Sequence, residues 1–408
     1  MTDMRLTHRQ RVLKALAHEE PDRVPWDLWA APEVWARLRE HLTDPGTACC
    51  APTVDDEAVM RHFDVDVRTI RGPSYAGQAM KTFPGNIVED LWGVKREVVT
   101  VEEGALRWSY KHVVEHPIAE ARTVADVENY PGWPDPAAWD FSGVAEECRA
   151  FSEFAVVNRG DRLDRTAQLK PAMYLRGVEQ ILMDLAMNPE VAEAIFQNIY
   201  EYFMSYNRRV FEAAALPPSP LGGEGRGEGG AAAAGTRTAG QASRGTPINL
   251  IDVFMMGDDF GAQKGPLVSP DMWRRFFKKR FRDYIDLAHA FGIKVMHHTC
   301  GSVRALIPEF IDCGLDILQS IQPQAAGMDL AELKREFGRD LCFHGSIDIQ
   351  GALPRGTPDD VRREVKTRMD AGKSGGGFII STAHNILPDT PTENILALFE
   401  AYREYGRY

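Results

Sequence analysis

The chain has 408 residues, a net charge of −12, and 44% hydrophobic and 26% charged residues. That is a globular composition, sufficient for one large α/β barrel or two ordinary domains. No long basic block is present, which argues against nucleic acid or an anionic membrane surface as the main partner.

The first residues, Met1 to Leu6, lack the apolar core of a signal peptide, and no apolar run reaches the roughly 20 residues that cross a bilayer. A cytoplasmic location is expected. Six cysteines (Cys49, Cys50, Cys148, Cys300, Cys313, Cys342) are scattered without a disulfide-framework spacing, so reduced thiols are expected.

In chain order, Thr7 and Gln10 predict a capped helix running through Leu16. Arg23 to Leu28 reads as a first strand. Glu89 to Val94 and Leu106 to Val114 suggest a small antiparallel excursion. Phe154 to Val157 reads as a second strand, with helical patterns over Glu179 to Met187 and Val191 to Met204.

Residues 217–246 do not resemble the rest. They are rich in Gly, Ala and Pro and nearly free of large apolar groups, which predicts a disordered surface insertion. The stretch is glycine-rich but has no GK[ST] ending and no strand directly before it, so it does not read as a phosphate loop.

Beyond it the pattern is regular. Strands are predicted at Ile248 to Met255, Ile293 to His298, Leu315 to Ser320, Leu341 to His344 and Phe378 to Ser381. Helices lie between them, opened by Ser269-Pro270, Thr357-Pro358 and Thr390-Pro391, the last with a capping box to Glu393. Gly292 and Gly372 are the expected stops. Strands alternating with helices argue for parallel βα units. The expected architecture is a single domain over 1–408, a (β/α)8 TIM barrel with N-terminal elaborations and the disordered insertion.

Such barrels keep their chemistry at the carboxyl ends of the strands. Successive ends here carry Asp258, Asp259 and Gln263; His298 and Cys300; Gln322; His344, Ser346 and Asp348; His384 and Asn385. In His298-Thr299-Cys300 the strand period points His298 and Cys300 the same way. Imidazole and thiolate are preferred zinc donors, and a catalytic zinc takes three protein ligands with a fourth position open. His298, Cys300 and His384 are the candidate ligands, with His344 in reserve. His297 faces the other side and reads as a packed histidine, and Cys313 and Cys342 read as core thiols. Among eight tryptophans, Trp26 and Trp29 are the candidates to line a pocket, because they follow the first strand.

These residues carry a resemblance. Pro21-Asp22-Arg23-Val24-Pro25, Asp90-Leu91-Trp92-Gly93-Val94, Leu175-Arg176-Gly177-Val178-Glu179, Asp258-Asp259-Phe260-Gly261-Ala262-Gln263, His298-Thr299-Cys300-Gly301 and His344-Gly345-Ser346-Ile347-Asp348 resemble the uroporphyrinogen decarboxylase superfamily. Within it the chain looks like the branch of cobamide-dependent zinc methyltransferases. That resemblance implies a (β/α)8 barrel and zinc held by an H-x-C pair with a later ligand. His298 and Cys300 match the pair. The later ligand, often cysteine in thiol methyltransferases, is His384 here.

Decarboxylases of the family use no metal and need arginines for a substrate bearing many carboxylates. Here Trp26 is followed by Asp27-Leu28-Trp29-Ala30-Ala31-Pro32, with no arginine before Arg37. The function this implies is methyl transfer between a small methylated substrate and a corrinoid on a separate protein. Asp258, Asp259, Gln263 and Trp26 would bind substrate, and Asp348 and His344 would serve as catalytic partners. The alternatives are a cofactor-free uroporphyrinogen decarboxylase of tetrapyrrole biosynthesis and a non-catalytic ligand-binding barrel. A homodimer is compatible with either enzyme.

Overall fold

In the computed structural model the described residues are 6–43, 54–103, 106–160, 165–216 and 248–408. The low-complexity stretch 217–246 and the pair Cys49 and Cys50 lie outside them. No helix among the described residues is long and apolar enough to cross a membrane.

Seven parallel strands form one curled sheet in chain order: β1 (Val67–Ile70), β2 (Ala155–Asn158), β3 (Val253–Gly257), β4 (Lys294–His298), β5 (Ile317–Ile321), β6 (Cys342–Ile347) and β7 (Phe378–Thr382). Apart from Thr69 in β1 and Lys294 in β4, their residues are buried, as expected of a sheet covered on both faces. The inner face packs Val67, Ala155, Val157, Val253, Met255, Met296, Ile317, Cys342 and Ile379 against Val12 and Leu16. The last two belong to the helix His8–Leu16, which opens with the expected Thr7–Gln10 capping box. A larger apolar layer lies between the sheet and the outer helices. Full burial of each such side chain stabilises by about 1.5–3 kcal/mol.

The expected first strand differs. Arg23 to Leu28 lies between β7 and β1 but builds no ladder. It makes one parallel bridge, Trp26 to Ile380, and Asp66 N–H donates to the Trp26 carbonyl at 3.1 Å. Two residues explain this. Pro25 has no N–H to give, and the Trp26 N–H is taken by the Asp66 carboxylate at 2.9 Å. The sheet is therefore a seven-stranded curl with an extended segment at its seam. Val67–Ile70, short and not singled out in the sequence, supplies the strand that the seam segment faces.

The antiparallel excursion is larger than expected, with four strands at Lys81–Phe83, Ile87–Glu89, Lys95–Glu103 and Leu106–Glu115. Ser269 and Thr357 cap their helices as expected. The Thr390–Glu393 box does not form. The last helix is Thr392–Tyr405 with Pro391 at its N-cap, and the Thr390 carbonyl instead accepts from Arg37 at 2.8 Å.

Candidate metal centre

His298 ends β4, with Met296 below it on the inner face, and His297 between them points outward. His297 sits among Phe260, Phe281 and Phe310, at ring distances of 5.8, 4.9 and 5.2 Å, as a packed histidine. Past His298 the loop turns at Gly301, whose φ is +77°. A Cβ there would come within 2.7 Å of the Gly261 backbone, so both glycines are required for the β3 and β4 loops to touch. Ser302 N–H donating to the Ala262 carbonyl at 2.7 Å fixes the contact.

That contact brings Asp259 against the H-x-C pair. Its Oδ1 accepts from the Cys300 N–H at 3.3 Å and lies 3.7 Å from His298 Nε2. Its Oδ2 accepts from Lys170 Nζ at 2.6 Å. Burial alone would raise the Asp259 carboxyl, but Lys170 holds it well below the usual carboxylate range. Asp258 next to it faces the opposite way. It accepts from the backbone N–H groups of Gln168 (2.6 Å) and Lys170 (2.7 Å), capping the helix Leu169–Arg176, which has no cap of its own. Burial outweighs these bonds and pushes the Asp258 carboxyl up to about 7.

His298, Cys300 and His384 each bring one donor atom, all within 4.8 Å of one another. His298 Nδ1 is engaged by Gln319 Oε1, which leaves Nε2 toward the group. Cys300 Sγ lies 3.5 Å from Nε2. A tetrahedral zinc with bonds of about 2.0 Å to nitrogen and 2.3 Å to sulfur separates its ligands by about 3.5 Å. His384 arrives on the loop after β7, its ring 5.9 Å from that of His298. Burial pushes His298 down to about 4, so the imidazole is neutral and able to ligate at pH 7. Burial, then Asp259, pushes the Cys300 thiol up to about 12. A thiolate at this position needs a cation beside it, so the three residues fit a thiolate-binding metal.

A cavity of about 250 Å³ opens on this group, lined also by Arg165, Lys170, Tyr174 and Asn385. A larger one of about 620 Å³ is lined by Trp29 and Arg159. The Trp29 ring stands 6.2 Å from that of His298, with the Arg159 guanidinium 4.7 Å from its centroid.

The other expected site residues are placed as follows. Asp258 and Asp259 are at the site. Gln263 is exposed on its loop and does not line either cavity. Trp26 is not a pocket residue. It is 1% exposed, donates to the Phe63 carbonyl at 3.0 Å and packs on Tyr402 and under Arg23. The odd spacing from Trp26 to Trp29 puts the two rings on opposite sides of the seam, and Trp29 is the one turned inward. His344 is buried beside Asp27, Nε2 to Oδ2 3.2 Å, outside the group of three donors. The Asp348 carboxylate accepts from the N–H groups of Gln350 (2.7 Å) and Ala352 (3.2 Å) in its own loop. Sequence reasoning passed over Asp27, Arg165, Lys170 and Gln319. Only Gln319 carried a signal, as a lone amide inside an apolar strand. Gln322, singled out instead, accepts from the Gly301 N–H at 3.0 Å and shapes the loop.

Residues 252–405 match the family described as uroporphyrinogen decarboxylase (URO-D). The methylcobamide:CoM methyltransferase MtaA of Methanosarcina barkeri is 32% identical over 154 residues, 38% of this chain and 42% of that protein. The uroporphyrinogen decarboxylase of Syntrophotalea carbinolica is 26% identical over 140 residues, 33% of this chain and 38% of that protein. The chain thus spans about two-fifths of the length of these curated relatives. A solved structure described as a methyltransferase from Methanosarcina mazei superposes with a TM-score of 0.62 at 17% identity, covering 98% of this chain and 99% of that one. The chain shares the fold of that solved methyltransferase structure. Over the matched lengths it is more similar in sequence to that methylcobamide:CoM methyltransferase than to that decarboxylase.

Proposed function

We propose that this chain, which carries His298, Cys300 and His384 at the carboxyl ends of its strands, is a zinc-dependent methyltransferase. It moves a methyl group between a small substrate and the cobalt of a corrinoid held by a separate protein. The observation that carries this reading is the donor triad, with its buried thiol that needs a cation to ionise. Zinc, when bound, lowers the pKa of a substrate thiol or draws charge from an ether oxygen.

The chain's own residues do the positioning. Gln319 orients His298. Lys170 keeps Asp259 beside the ligands and away from full freedom to ligate. Trp29 walls the site and limits water. Asp258 anchors the helix that carries Lys170. The seam segment Arg23 to Leu28 acts as the eighth stave of the barrel. Asp348 orders its loop. A cavity of about 250 Å³ suits a small substrate better than a tetrapyrrole with many carboxylates.

Elemental analysis of the purified chain and of a His298→Ala/Cys300→Ser variant tests the metal. About one zinc per chain, lost in the variant, is expected. Loss of the methyl–cobalt absorbance of a methylated corrinoid protein with small thiols, and its appearance from the reduced, unmethylated corrinoid protein with methoxylated compounds, test the transfer in its two directions. A metal-free protein with undiminished transfer overturns the reading.

A further inference from the structure

Behind the donor triad, β4, β5 and β6 bring a row of polar side chains to one face of the sheet. His298 pairs in register with Gln319, and Gln319 with His344. Parallel partners on adjacent strands present their side chains to the same face, about 4.8 Å apart. Gln319 and His344 are 0% and 1% exposed.

Gln319 has two polar ends. Oε1 is engaged by His298 Nδ1, while Nε2 is buried without a partner. His344 also has two. Nε2 faces Asp27 Oδ2 at 3.2 Å, while Nδ1 is buried without a partner. A carboxylate only accepts, so the His344 proton is on Nε2 and Nδ1 is an acceptor. The unmet donor of Gln319 and the unmet acceptor of His344 therefore complement each other on neighbouring strands. Buried polar groups of this kind are normally satisfied, by each other or by an enclosed water.

The row ends on Asp27, itself buried. Its Oδ2 also accepts from Trp29 Nε1 at 2.7 Å and its Oδ1 from the Leu28 N–H at 2.8 Å. Trp29 in turn stands over both imidazoles, 6.2 Å from His298 and 5.6 Å from His344.

We infer that Gln319 Nε2 and His344 Nδ1 are joined, directly or through one enclosed water, so that a relay His298–Gln319–His344–Asp27 ends on a buried carboxylate. The relay fixes the His298 tautomer with its proton on Nδ1 and presents Nε2 to the metal. Asp27 and His344 are then positioning residues for a ligand three and two side chains away, and His344 is neither a ligand nor a group that touches substrate. Partners behind a metal-bound histidine typically matter about 10–100-fold in affinity. The inference rests on the zinc reading above.

The test is zinc affinity by chelator competition on the intact chain, with the visible spectrum of the cobalt(II)-loaded protein as a second readout. Asp27→Asn and His344→Phe should weaken zinc binding about 10–100-fold and shift the cobalt bands. His344→Gln, which keeps a donor and an acceptor, should recover most of the affinity. Thermal unfolding of the metal-free proteins separates this from loss of fold, and Asp27→Asn, matched in shape, serves if His344→Phe does not fold. Folded Asp27→Asn and His344→Phe proteins with wild-type affinity and an unchanged cobalt spectrum would overturn the relay while leaving the zinc site standing. Wild-type protein that takes up no zinc would overturn both.

Discussion

Lys170 holds Asp259 at 2.6 Å, so that the other carboxylate oxygen stands 3.7 Å from Nε2 of His298. The carboxylate is close enough to become a fourth ligand, and the ammonium restrains it. An open coordination position is what separates a catalytic zinc from a structural one. Lys170→Met should therefore bind zinc at least as tightly as the wild type and lose methyl transfer by an order of magnitude or more. Wild-type turnover in Lys170→Met, with zinc bound, would deny Lys170 this role.

Zinc uptake should release about one proton per chain near pH 7. His298, pushed down to about 4, is already neutral there. The Cys300 thiol, pushed up to about 12, still carries its proton and must lose it to ligate. Lower pH opposes that loss, so apparent affinity should rise about tenfold per pH unit from pH 7 to 9. Calorimetry in buffers of different ionisation enthalpy measures the proton. A pH-independent affinity would mean that Cys300 is not a ligand.

Asp66 joins the seam to the sheet. It accepts from Arg11 and Arg23 at 2.6 Å each, from the Trp26 N–H at 2.9 Å, and contacts His8 at 2.9 Å. Burial opposes its charge, but His8 and the two arginines hold the carboxyl below its ordinary value. Its folded pKa lies below the unfolded one. The stabilisation is therefore present above about pH 4 and lost as pH falls through the folded value. Asp66→Asn removes the buried anion that both arginines share, leaving Arg11 with Asp22 and Arg23 with Asp64 alone, and should cost about 3 kcal/mol in urea unfolding at pH 7. The gap to the wild type should narrow in acid, and a gap that widens there would contradict this assignment.

His297 and His298 should part company when each is replaced by Phe. His297 has no hydrogen-bond partner at either nitrogen and is pushed down to about 3 by burial. In the unfolded chain it takes a proton below about pH 6.5, so it weakens the fold progressively as pH falls from there toward 3. His297→Phe should keep zinc and match or exceed wild-type stability, with the advantage growing in acid. His298→Phe should abolish zinc binding. Loss of zinc in His297→Phe would place a functional role on a residue whose contacts are aromatic.

Much was decided by local pattern. The parallel βα order of the second half, its strand ends and the pairing of His298 with Cys300 follow from hydrophobic runs, caps and the two-residue period of a strand. These depend on neighbours in sequence, so they are legible there. The family resemblance rests on the same residues. What the chain alone could not decide depends on partners far along it. Trp26 and Trp29 look equivalent in sequence, and only the seam between β7 and β1 turns one into the core and the other toward His298. The Thr390 box gave way because the helix is capped one residue later, at Pro391, and the Thr390 N–H donates to the Leu387 carbonyl. Asp348 reads as a strand-end acid, yet its own loop consumes both oxygens. Lys170, 89 positions before Asp259, and Asp27, 317 before His344, reach the site only because the sheet curls. The donors were written in the sequence, whereas the groups that orient and restrain them were set by tertiary contacts, whose geometry no local pattern encodes.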